Sequence, residues 1–149
     1  VSLRRRTRRA TFDAMPGDIR TRRWNDPAQP GDGTRILVCR FRPRGVAKKD
    51  ETWDEWWREL GPSEALHAAV YGKGQPAIDF EEYRRRYLAE MAENPARARL
   101  RELRERIAAG ERVTLLCSSK CTDESRCHRT VLRDLLLADD LPAPGSTSA

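Results

Sequence analysis

Val113-Thr114-Leu115-Leu116-Cys117 is a short apolar run between Gly110-Glu111-Arg112 and the polar Ser118-Ser119-Lys120. It does not alternate between apolar and polar residues, and its Val and Thr are branched at Cβ. It therefore predicts a strand buried on both faces rather than a half-solvated one. A second run of this kind, Arg35-Ile36-Leu37-Val38-Cys39, lies upstream and breaks at Arg42-Pro43-Arg44-Gly45. Helical patterns fill the chain between the two. Buried strands separated by helices imply crossover connections, hence an α/β fold: a small parallel-sheet core with flanking helices in a single domain. In such sheets the binding crevice opens beyond the carboxyl ends of the strands. Both runs end in cysteine, Cys39 and Cys117, so chemistry is expected there.

Working outward, Glu51 to Leu60 predicts a helix. Trp53, Trp56, Trp57 and Leu60 recur at i, i+3, i+4 and i+7, the spacing of one helical stripe. Gly61-Pro62-Ser63 ends it and opens a second helix to about Tyr71. Asp79 to Met91 carries Phe80, Tyr83, Tyr87 and Met91 on one face. Asn94-Pro95 predicts a cap and a first-turn proline for a helix that uses Leu100, Leu103 and Ile107 and stops at Gly110. A last helix is expected from about His128 to Leu137. Ile19 to Trp24, rich in Arg, predicts an edge strand.

The chain has 149 residues, the size of one domain. No apolar run reaches the ~20 residues of a membrane span, and the N-terminus lacks the layout of a signal peptide. The expectation is a cytoplasmic protein with no membrane partner, whose four Cys serve as thiols or metal ligands before disulfides. The net charge of +6 is unevenly placed. Residues 1–23 hold eight Arg against Asp13 and Asp18, and the remainder is balanced. Residues 1–17 read as a disordered basic arm able to grip phosphates non-specifically, which makes nucleic acid a partner only if the arm is native. Val1, the later Met15 and 25 Arg against four Lys also fit a spurious upstream reading frame in a GC-rich genome. Residues 18–138 form the domain, and 139–149 read as a disordered tail.

Two strand ends carry the candidate site. The first offers Arg42, Arg44 and Gly45, forked guanidinium donors beside a flexible backbone, suited to an anion. The second offers Cys117, Cys121, Cys127, His128 and Arg129 ahead of the last helix. Cys127 at a helix N-terminus beside His and Arg is expected to have a lowered pKa and to act as a nucleophile, with His128 as proton carrier and Arg129 as an anion donor. A phosphatase-type loop, a Cys with Arg six residues on, is not expected at Cys117, Cys121 or Cys127. The Cys121–Arg126 stretch lacks the glycine a sulfurtransferase loop needs. Cys39, Cys117, Cys121 and Cys127 supply enough soft ligands for zinc or iron, although their spacing is irregular for a zinc site. The expected function is binding of a small anionic ligand, a nucleotide or phosphorylated metabolite, in a Cys/Arg-lined crevice. Two alternatives stay open: a metal-binding or thiol redox-sensing module, and a nucleic-acid-associated protein acting through the arm.

The order Ile19-Arg20-Thr21, Asp26-Pro27, Asp32-Gly33-Thr34-Arg35, then Arg42-Pro43-Arg44-Gly45, Trp56, Leu60, Pro62-Ser63, the Phe80 to Tyr87 helix and Val113-Thr114-Leu115-Leu116 resembles the YeaO-like proteins. These are a bacterial family of unknown function. The resemblance spans about residues 18–138 and implies a compact α/β domain without implying an activity. Cys39 stands where that family has an acid and Arg42 where it has an aromatic. The Cys-His-Arg triplet at 127–129 is similar to that of a related branch. These departures imply a subgroup that uses thiols or a metal.

Overall fold

The computed structural model describes residues 19–138 and 141. The expectations for the arm and, apart from Leu141, for the tail lie outside the described residues. Four strands form one parallel sheet in the order β1-β4-β2-β3, with β1 at Ile19–Arg23, β2 at Thr34–Leu37, β3 at Glu55–Trp56 and β4 at Val113–Cys117. Among the described residues there are four α-helices, α1 Glu64–Val70, α2 Phe80–Met91 and α3 Ala96–Ala108 between β3 and β4, and α4 His128–Leu137 after β4. β4 lies between β1 and β2, pairing Val113 with both Ile19 and Thr34. That central place is why the run is apolar throughout, and all five residues are buried. Arg-rich β1 occupies an edge, as its composition predicts.

The two faces of the sheet are covered differently. Ile36, Val38, Val113 and Leu115 face a core to which every helix contributes, including Leu66, Tyr87, Leu103 and Leu132. Half-buried Leu141 packs on the same core. Leu37 and Leu116 point the other way and meet Trp53, with Trp24 and Val46 from loops and Trp56 from β3 packed around them. The period of two along β2 and β4 thus sorts their side chains into a helix-covered and a loop-covered layer. Tyr83, Tyr87 and Met91 are buried on α2, and Leu100, Leu103 and Ile107 on α3, as their spacing predicts. Gly33 takes a φ of +66°, and a Cβ there would fall 2.2 Å from the Arg112 carbonyl oxygen, so only glycine lets the chain enter β2 beside β4.

The helix expected over 51–60 does not form. Asp54 donates its amide to the Arg35 carbonyl and Trp57 to that of Leu37 (2.7 and 2.9 Å), and Glu55 and Trp56 pair with Ile36 and Leu37 as the short strand β3. A turn of 3-10 helix, Arg58–Leu60, ends the segment. β2 otherwise exposes unpaired backbone, and satisfying it outweighs the helical spacing. The stripe is split as well, since Trp53 packs in the loop-side cluster and Trp57 in the helix-side core. Pro95 stands at the N-cap of α3, one position before the first turn where it was expected.

Candidate functional site

Parallel neighbours place their carboxyl ends on one side, so β2 and β4 deliver Cys39 and Cys117 to the same edge. From Cys117 the chain makes a turn closed by Cys121 N–H to the Ser118 carbonyl (3.0 Å) and a 3-10 turn, Glu124–Arg126, that Asp123 caps at the Ser125 amide. These turns fold the loop back, so that Cys127 returns beneath Cys117 as the N-cap of α4. The Sγ atoms of Cys117 and Cys121 lie 3.2 Å apart, as do those of Cys127 and Cys117.

His128 is fixed from two sides. Its Nε2–H donates to the Val38 carbonyl (2.7 Å), since a carbonyl only accepts, and its ring meets Tyr87 edge-on at 5.4 Å. Tyr87 is anchored by its hydroxyl to the Leu60 carbonyl (2.7 Å). With the proton on Nε2, the Nδ1 lone pair faces Cys117 Sγ at 3.7 Å. Burial lowers the pKa of His128, so the ring is neutral at pH 7.

The thiols form a chain of donors, Cys127 to Cys117 to Cys121. At its end Cys121 is pulled down to about 3 by the Cys117 and Cys127 thiols, against the opposing effect of burial and with help from the Arg129 cation. Cys117 is pushed up because it donates to Cys121. Cys127 is pushed up because its thiol donates to the other two and because it is buried, with only 2% of its surface exposed. This corrects the expectation of a low-pKa, accessible Cys127: its position at the helix N-terminus is outweighed by burial and by neighbouring sulfur acceptors.

Arg129 is 5% exposed, and its Nη2 lies 3.4 Å from the Cys121 carbonyl and 4.0 Å from Glu124. Its Nε and Nη1 have no partner among the described residues. The other expected donors sit apart from it. Arg42 is clamped on Glu51 (2.7 and 3.1 Å) and lies over the Trp53 ring, while Arg44 and Gly45 are exposed. The irregular thiol spacing hid the convergence, because the loop turns are not periodic. Two further features differ from the expectations, the first being the Arg six residues after Cys127 that was not expected there. Arg133 stands six residues after Cys127, but the stretch between them is helical and forms no anion-cradling loop. Phe41 and Tyr71, 49% and 47% exposed, flank half-buried His67 at ring distances of 5.2 and 4.8 Å; Tyr71 is its i+4 neighbour, whereas Phe41 comes from a segment too distant for any pattern to signal.

Fold and site together define a small parallel α/β domain with a thiol–imidazole cluster and a buried arginine at the carboxyl ends of its central strands. The chain belongs to the DUF488-N3a family, described as the active DUF488-N3 subclade, whose model matches residues 19–140. It is 40% identical over 120 residues to the uncharacterized protein YeaO of Escherichia coli (strain K12), covering 80% of this chain and 96% of that protein. The YeaO-like resemblance is therefore correct. It is also 30% identical over 118 residues to the uncharacterized protein Rv3073c of Mycobacterium tuberculosis (strain ATCC 25618 / H37Rv), covering 79% of this chain and 92% of that one. No solved structure matches.

Proposed function

We propose that the protein binds a small oxyanion-bearing ligand, of the nucleotide or phosphorylated-metabolite class, beside the thiol cluster, with Arg129 as the principal donor. The observation that carries this is the buried guanidinium with two unpartnered nitrogens. A buried cation without full pairing costs several kcal/mol, on the order of the penalty for any uncompensated interior charge. A forked donor in that position suits phosphate or carboxylate oxygens. Arg129 also lies in the first turn of α4, where no side chain caps the helix and the dipole favours the same negative charge. Glu124 and Asp26 are within electrostatic reach and offset part of the charge without hydrogen-bonding Nε or Nη1. The exposed rings of Phe41 and Tyr71, within the electrostatic influence of the cysteines through His67 and Tyr71, favour a ligand with an apolar or ring-bearing body. Access to Arg129 requires the 118–126 loop to move aside.

The test is titration of the full chain with inorganic phosphate, pyrophosphate and a nucleoside monophosphate, followed by calorimetry and by the NMR signal of the Arg129 Nε–H. Saturable binding of at least one is expected, lost in Arg129→Met and kept in Arg44→Met. Absence of saturable binding for all three, or binding indifferent to Arg129→Met, refutes the proposal.

A further inference from the structure

We propose that Cys117, Cys121, Cys127 and His128 form a site for a soft, tetrahedral divalent cation of the zinc class. Sγ of Cys117, Sγ of Cys127 and a ring nitrogen of His128 lie within 4.8 Å of one another, all three residues being buried, and Cys121 Sγ adds a fourth donor 3.2 Å from Cys117. In a tetrahedron with metal–sulfur bonds of ~2.3 Å and metal–nitrogen bonds of ~2.0–2.1 Å, neighbouring sulfurs stand about 3.8 Å apart and sulfur and nitrogen about 3.6 Å. The Cys117–Nδ1 separation of 3.7 Å already fits, the two sulfur pairs at 3.2 Å must spread by about half an ångström, and Cys121, outside the group whose donors all lie within 4.8 Å of one another, must move in to complete the tetrahedron. Cys121, on the half-buried loop, is the ligand with room to do so.

The imidazole supplies the independent observation. A metal-binding His characteristically donates its other ring N–H to a carbonyl or carboxylate, which fixes the tautomer and aims the lone pair. His128 does this through Nε2 to Val38, with Tyr87 against the ring, and its Nδ1 faces the sulfurs instead of a protein donor of the ordinary kind. The ligand set differs from the four cysteines expected from the sequence. Cys39 packs with the loop-side cluster of Leu37, Trp53 and Leu116, and His128 takes its place. Three sulfurs and one nitrogen suit zinc over hard cations, which prefer oxygen. On binding, the coordinating sulfurs that are still protonated yield their protons to solvent. The site uses none of the Arg129 donors, so it stands or falls separately from the anion site.

The test uses the full chain, reduced and stripped by a chelator, with cobalt(II) as the spectroscopic probe and zinc as competitor. The expected result is one cobalt per chain with tetrahedral ligand-field bands and thiolate-to-cobalt charge transfer, displaced by zinc. Cys39→Ser and Arg129→Met keep the spectrum. Cys121→Ser, on the exposed side and least disruptive to folding, loses part of the charge-transfer intensity. It also weakens cobalt binding by at least the about 10–100-fold that follows loss of even an outer-shell partner. His128→Asn, checked for folding by circular dichroism, shifts the ligand-field bands. Failure of the reduced chain to bind cobalt tetrahedrally, or an unchanged spectrum in Cys121→Ser, overturns the assignment, as does a spectrum lost in Cys39→Ser.

Discussion

Arg35 and Arg129 are buried to the same depth, 4% and 5% exposed, and their surroundings treat them in opposite ways. Arg35 lies on the loop-covered face of the sheet, where it meets Asp32 at 2.7 Å, the Thr52 carbonyl at 2.8 Å and the Asp26 carbonyl at 3.0 Å. Asp32 is shared with Arg20 and Arg22 and accepts the Gln29 amide, and its own carbonyl takes the Thr114 hydroxyl (2.8 Å). The network ties the loop before β2 to the edge and centre of the sheet. Arg129, at the carboxyl edge, has two idle nitrogens and crowded thiols for neighbours. A fully satisfied buried charge holds structure, and a partly satisfied one is destabilising unless something else completes it.

The sharpest way to break this contrast is to remove each cation in turn. Arg35→Met is expected to lower stability by about 3–5 kcal/mol, because it removes the buried cation nearest Asp32 and leaves the Thr52 and Asp26 carbonyls unpaired. Arg129→Met is expected to stay within about 1 kcal/mol of the parent chain, since it removes an incompletely paired charge and keeps most of the apolar stem. Urea unfolding of both variants checks this. Equal losses would mean that Arg129 is structural and would weaken the anion proposal with it.

Acid sharpens the same comparison. Burial alone would raise the Asp32 carboxyl, but bonds from Arg22, the Gln29 amide, Arg35 and Arg20 outweigh it and hold the pKa at about 2, below the ordinary 3.8. A depressed folded pKa means that this stabilisation is complete above 3.8 and is lost as pH falls towards 2. Acid unfolding followed by circular dichroism should therefore show a steep loss of stability in that window for the parent chain. Asp32→Asn, less stable throughout, should show a shallower one. Parallel curves for the two would contradict the ionic account of the loop-covered face.

The smallest effect concerns the link between the two regions. Trp56 donates its Nε1–H to the Cys39 carbonyl (2.8 Å), pinning the end of β2 from the loop-side layer. Trp56→Phe keeps the ring and removes the donor, so a loss of about 1 kcal/mol is expected. Hydrogen exchange at residues 38–40 should quicken while that of β4 is unchanged. A change spread through β4 would show that the carboxyl edge and the loop-covered face form one cooperative unit.

The apolar runs at 35–39 and 113–117 determined the α/β class and the parallel sheet, because a strand buried on both faces leaves a continuous signature in local sequence. The stripes of α2 and α3 were legible for the same reason, each face being written at a period of 3.6 residues. Cys117, Cys127, His128 and Arg129 could be picked out as residue types at a strand end and a helix start. Their relations could not, since the turns that bring Cys127 back to Cys117 follow no period. Nor could the sequence show that the Val38 carbonyl sets the His128 tautomer, that Arg35 is completed and Arg129 is not, or that β3 claims the 53–57 tryptophans. Those are decided by which groups from distant segments meet, because burial and hydrogen bonding are satisfied in space and not along the chain.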